Sequence, residues 1–283
     1  MYNNIFYEKY QKYIDNIVYK NLNYINDFCK IYNLNYIHDN INHRIDLECF
    51  FRNLPDDLKK NYDFFLDANQ RYGYTLRYAS NELKNNYDIV LAAVKSIGFS
   101  LEYASDDLKN NYKIVLNSVR DSGRALKYAS DNLKNNYKIV LNSVRNSGSA
   151  LKYASDNLKN NYKIVLNAVR ENGYALEYAS DNLKNNYKIV LAAVRKDGYA
   201  LEYASDNLKN NYEIVLAAIR KNINGLQFAS KNLKNNRKLH LNMNKKYLKN
   251  NSKYYKNKFI DYKFKIKKKL LSKNIINYIF KYF

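Results

Sequence analysis

Cys29, His38, His43 and Cys49 are residues whose types could bind a metal ion. Structural zinc sites supply thiolates and imidazoles as close pairs, two to five residues apart. Only His38/His43 and His43/Cys49 come near that spacing, and the order Cys-His-His-Cys with long gaps departs from it. The reading favoured is two small apolar thiols and surface histidines in a helical cap, with no metal or other cofactor. No nucleophile, base and orienting group can be assembled elsewhere. Gly73, Gly98, Gly123, Gly148, Gly173 and Gly198 recur at one interval, and Gly225 lies two residues past the next such place. None is left to cluster into a phosphate-cradling loop. A non-enzymatic protein is expected.

Cations are the next candidates. The formal charge is +22, distributed as −1 over residues 1–75, +7 over 76–225 and +16 over 226–283. Such an excess points to a polyanion, a membrane surface or an acidic protein. An A/T-rich genome would also inflate Lys, Asn, Tyr and Ile without selection for any partner. Within the middle segment Lys113, Arg120, Lys138, Arg145, Lys163, Arg170, Lys188 and Arg195 recur as one polar stripe, with Asn117, Asn142 and Asn167 between, fading to Asp88 and Glu213 at the ends. The stripe is the candidate contact for an acidic protein partner or a polyanion; the alternative is a solvated face that keeps the protein soluble. In the tail, Lys263, Lys265, Lys267, Lys268 and Lys269 lie near Tyr254, Tyr255, Phe259, Tyr262 and Phe264. Lysines neutralise phosphates and aromatics stack on bases, so this segment is the candidate nucleic-acid contact. Residues 270–283 pattern as an amphipathic helix, read mainly as a cap; peripheral membrane contact is the less favoured role.

What must position these side chains is a tandem repeat. Leu76-Arg77-Tyr78-Ala79-Ser80 returns from Leu101, Leu126, Leu151, Leu176 and Leu201, and as Leu226-Gln227-Phe228-Ala229-Ser230, always 25 residues on. A worn copy precedes them from Phe51. Periods of this length signal solenoids. Within one copy Tyr187, Val190, Leu191 and Val194 share a helical face, Asn186 stands at the N-cap and Gly198 at a left-handed stop. Tyr199 to Ala204 can form a second short helix, and Ser205-Asp206-Asn207 can cap the next turn. The predicted fold is an all-α tandem-repeat solenoid of 25-residue units of two short helices over residues 51–241, with an N-terminal helical cap region (1–50) and a basic, aromatic-rich C-terminal segment (242–283).

Two tyrosine ladders run through the copies: Tyr78, Tyr103, Tyr128, Tyr153, Tyr178 and Tyr203, and Tyr87, Tyr112, Tyr137, Tyr162, Tyr187 and Tyr212. Packing between repeats is favoured for both over a base-stacking platform. The Asn pairs, such as Asn135-Asn136, are read as caps and inter-repeat bonds rather than grips on a peptide. Leu54-Pro55-Asp56-Asp57-Leu58 with Phe64-Phe65-Leu66 has the look of an F-box, a ubiquitin-ligase adaptor, but also fits the repeat register with Pro55 at the Ser position.

The pattern Leu-x-Tyr-Ala-Ser-x-x-Leu-Lys-Asn-Asn-Tyr-x-Ile-Val-Leu-x-x-Val, then Gly, resembles the repeat family catalogued as domain of unknown function 4116, over residues 51 to about 241. That family recurs in giant DNA viruses of amoebae and some intracellular bacteria, and the resemblance implies a similar origin. It carries over no catalytic or binding residue. One departure is that Asn86 and its equivalents stand where members often carry Asp. Only two cysteines, no secretory pattern and no long apolar run predict an intracellular protein without a transmembrane segment, and the resemblance implies host cytoplasm or virion. The function expected is a protein-interaction scaffold. The alternatives are a nucleic-acid-binding or genome-associated protein acting through the basic tail, and a ubiquitin-ligase adaptor.

Overall fold

The computed structural model describes Glu48, residues 51–236, Lys238 and Leu239. The cap region apart from Glu48, the Cys29/His38/His43/Cys49 set and the tail with Lys263, Lys265, Lys267, Lys268 and Lys269 lie outside the described residues. Those described form helices and no strand, and no helix among them is long and apolar enough to cross a membrane. They fall into two compact units, one ending at Lys184 and the other beginning at Asn185.

Each 25-residue copy contains three helical segments. In one, these are the 3₁₀ helix Gly123–Tyr128, the one-turn α-helix Asp131–Lys134 and the ten-residue α-helix Tyr137–Asn146. The second helix expected from sequence is thus a six-residue 3₁₀ helix. The turn expected to be capped by Ser-Asp-Asn closes into a single α-turn of its own. None of these segments is long enough to persist alone, so packing supplies the stability.

In the first unit, long helices Tyr62–Arg71, Tyr87–Ser96, Tyr112–Asp121, Tyr137–Asn146 and Tyr162–Glu171 pack neighbour on neighbour. The 3₁₀ helices form a second layer beneath them. In the second unit, Tyr187–Lys196 packs on Tyr212–Lys221 and Gly198–Tyr203 on Ile223–Phe228. The core lies between the layers and repeats its chemistry: Leu126, Ile139, Val140 and Val144 are fully buried, as are Leu151, Ile164, Val165 and Val169.

One serine per copy joins neighbours. Ser155 Oγ accepts from Leu158 N, capping its own one-turn helix, and donates to Asn135 Oδ1 of the preceding copy at 2.6 Å. Its backbone N–H donates to the Lys134 carbonyl oxygen at 3.0 Å. Ser130 and Ser180 repeat the set. The second Asn of each pair caps the long helix, as Asn136 does by accepting from Lys138 N and Ile139 N. The first Asn of each pair therefore joins neighbouring copies and the second starts the long helix. Ser155→Ala is expected to lower stability by about 1–2 kcal/mol, as a lost cap plus an inter-repeat bond. Urea denaturation checks it, and Ser155→Thr, which keeps the hydroxyl, should recover most of the loss.

The recurrent glycine has a different reason from the one expected. None of Gly73, Gly98, Gly123, Gly148, Gly198 and Gly225 adopts a left-handed φ. A Cβ at Gly148 would run into the Ala168 carbonyl oxygen and approach Asn172 N to 2.9 Å, both at the end of the following long helix Tyr162–Glu171. Gly98 and Gly123 meet the Ser118 and Ser143 carbonyls in the same way. The glycine is the place where one 3₁₀ helix passes beneath the end of the following long helix. Its N–H is used there: Gly123 N donates to Asn146 Oδ1 at 2.8 Å and Gly98 N to Asp121 Oδ2 at 2.7 Å.

The worn first copy differs inside. Asn69 stands where later copies have Val94 or Val119, and its Oδ1 accepts from Thr75 Oγ1 at 3.0 Å, fully buried. In the next copy Val94 replaces the asparagine while Ser100 keeps a hydroxyl, which is buried without a partner. From Val119 and Ala125 onward both positions are apolar.

Candidate interaction surface

The buried side of each long helix is rotated from the face expected. In Tyr187–Lys196 the fully buried residues are Ile189, Val190, Ala193 and Val194. Tyr187 is 43% exposed and Leu191 half-buried. The 3₁₀ layer takes the Ile-Val side. Tyr187, Leu191 and Arg195, spaced i, i+4, i+8, are left as one outward ridge. The same ridge recurs as Tyr112, Leu116, Arg120, as Tyr137, Leu141, Arg145 and as Tyr162, Leu166, Arg170.

The two tyrosine ladders therefore separate. The first is half-buried between repeats. Tyr78 stacks on Phe51 with centroids 6.2 Å apart, and Tyr128 meets the edge of Phe99 at 6.5 Å. Burial and a hydrogen bond to Glu102 push the Tyr128 phenol above its usual range. Inter-repeat packing is correct for that ladder. For five members of the second it is not: Tyr87, Tyr112, Tyr137, Tyr162 and Tyr187 are 37–43% exposed, whereas Tyr212 is half-buried. Nothing in the repeat pattern marks this difference, because a tyrosine beside an Ile-Val pair satisfies either face.

All eight stripe cations, Lys113, Arg120, Lys138, Arg145, Lys163, Arg170, Lys188 and Arg195, are exposed on the long helices. Six lie in the first unit and two in the second. No carboxylate among the described residues pairs with any of them. Arg145 Nε contacts Asn167 Oδ1 of the next copy at 3.4 Å, and Asn117, Asn142 and Asn167 bond back to their own helix. In contrast, Lys109, Lys134 and Lys159 of the one-turn helices sit 3.2–3.5 Å from Asp106, Asp131 and Asp156. Asn81 replaces that aspartate beside Lys84, and burial pushes the Lys84 ammonium below its usual range. Lys109, Lys134 and Lys159 carry compensated charge, whereas the eight stripe cations of the long helices stand beside exposed tyrosines with no carboxylate among the described residues paired to them.

Between adjacent long helices the ridges leave shallow grooves. One is lined by Tyr187, Leu191 and Arg195 on one side and Glu213, Ala217 and Arg220 on the other. Another, at the worn end, lies between Tyr62, Leu66 and Gln70 and the helix bearing Asp88, Leu91 and Lys95. They are open and polar at the rim, a shape suited to a side chain or an extended segment rather than an enclosed small molecule. Among the described residues no group of three His, Cys, Asp or Glu is placed to hold a metal ion.

The F-box-like segment takes the geometry of the repeat. Pro55 occupies the N-cap of Asp56–Lys59, Asn61 caps Tyr62–Arg71, and both helices stand 25 residues before Asn81–Lys84 and Tyr87–Ser96.

No curated protein and no solved structure matches the chain. Eight overlapping stretches match the family described as Domain of unknown function (DUF4116), running from residues 46–84 to residues 211–265 with starts 25 residues apart from the second onward. Together they take in every glycine, both tyrosine ladders and the stripe, and the chain belongs to the DUF4116 family.

Proposed function

We propose that this protein is a non-enzymatic interaction scaffold that docks an acidic protein segment on the outer face of its long helices. The observation that carries the reading is the run of exposed cations without carboxylate partners, set beside exposed tyrosines. Cations and tyrosines of this kind suit recognition, because an aromatic ring supplies contact area at low entropic cost and a guanidinium grips carboxylates bidentately. With a viral origin, as the family resemblance implies, that partner belongs to an infected cell or a virion.

The test is recovery of partners by the full chain, with nuclease present, against the variant carrying Lys138→Glu, Arg145→Glu, Lys163→Glu and Arg170→Glu. All four positions are exposed, so the fold is expected to stay within about 0.5 kcal/mol per site. Partner recovery should be lost. Unchanged recovery would make the stripe a solubility feature. A second reading, nucleic-acid or genome association, rests on the +16 charge of residues 226–283. It predicts binding that survives the four reversals and weakens steeply with salt.

A further inference from the structure

The first residue of each central long helix is an exposed tyrosine and the second an exposed lysine: Tyr112-Lys113, Tyr137-Lys138 and Tyr162-Lys163. The three helices belong to one unit, each packs on the next, and equivalent residues recur at each helix start. The pairs therefore form a row across the helices, stepping by one interhelical distance, about 8–10 Å. The row has a boundary, since the preceding copy reads Tyr87-Asp88.

A ligand that meets this row in register must present like groups on one face every 8–10 Å. A polyproline II helix has three residues per turn and a rise of about 3.1 Å, so every third side chain returns to the same face after about 9.3 Å. An extended β-strand alternates faces and puts its third residue on the wrong side. Successive phosphates of a nucleic-acid strand are too closely spaced to match one per helix. Aromatic rows are also the surface on which proline rings pack, because the polyproline helix is already ordered and loses little entropy on docking.

We infer that the Tyr112-Lys113, Tyr137-Lys138 and Tyr162-Lys163 row docks an acidic, proline-containing segment in polyproline II form, one carboxylate per repeat on the lysines and the prolines on the tyrosines. The inference rests on the basic face being a protein-docking surface and adds the form and period of the occupant. The Asp88 carboxylate limits it to the central copies by repelling an acid placed one step further.

Three fluorescent peptides, each with six glutamates, test it against the full chain by anisotropy: (Glu-Pro-Pro)6, (Glu-Gly-Gly)6 and (Glu-Pro-Pro-Pro)6. The first is stiff and in register, the second in period but flexible, the third stiff and out of register. The first should bind about tenfold more tightly than either other, since it alone combines preorganisation with matched spacing. Tyr112→Ser, Tyr137→Ser and Tyr162→Ser together should remove that preference while circular dichroism stays helical. Equal binding of the three peptides, with loss on the four charge reversals, overturns the inference and leaves the scaffold reading standing. No binding of any peptide overturns the inference as well. Tighter binding of an 18-mer oligothymidylate that is lost on Lys113→Glu, Lys138→Glu and Lys163→Glu overturns it in favour of a nucleic-acid face.

Discussion

Gly148→Ala is expected to destabilise the first unit by about 1–3 kcal/mol, the range for forcing an extra carbon into a packed site. The added Cβ meets the Ala168 carbonyl and the Asn172 backbone, and backbone cannot swing aside as a flexible side chain would. The contact between the 3₁₀ helix Gly148–Tyr153 and the end of the long helix Tyr162–Glu171 must open instead. In a stack stabilised by nearest-neighbour contacts, weakening one interface also lowers cooperativity, so the urea transition should broaden as well as shift. Gly148→Asn separates the two explanations of the glycine. Asparagine tolerates left-handed backbone better than alanine does, so a glycine kept for its φ would accept Asn in preference to Ala. A glycine kept for close approach should lose at least as much stability to Asn. Better tolerance of Asn would overturn the packing account.

Ile139→Ala is expected to cost about 2–5 kcal/mol, the range for deleting most of a buried aliphatic side chain. Ile139 is fully buried between the long-helix and 3₁₀ layers. Tyr137, two residues earlier, is 39% exposed, and Tyr137→Ala should stay within about 1 kcal/mol of wild type despite removing more atoms. The order of the two is the test, read from the thermal or urea midpoints of the single variants. If Tyr137→Ala were the more damaging, the outward ridge of Tyr137, Leu141 and Arg145 would belong to the core and the proposed docking row would lose its basis.

The sequence by itself determined the repeat, its 25-residue register and its helical class. Leu126, Ile139, Val140 and Val144 return at positions that only a stack can bury, and Asn136 marks a helix start because its short side chain caps free N–H groups. It also placed the stripe cations on one exposed face of the long helix. Tertiary structure alone decided how that helix is rotated. Tyr187, Ile189, Val190, Leu191 and Val194 are all apolar enough to enter a core, and periodicity accepts Tyr187-Val190-Leu191-Val194 as readily as Ile189-Val190-Ala193-Val194. The 3₁₀ layer beneath chose the second set, leaving the tyrosines outside. The glycines were decided in the same way. A glycine just past a helix reads as a left-handed stop when only its own chain is considered, whereas the groups that exclude a Cβ at Gly148 are the Ala168 carbonyl oxygen and Asn172 N, roughly one repeat further along the chain. Local chemistry sets which segments are helical; which face is buried, and why a position must lack a side chain, depends on atoms that only the packing of the two layers brings together.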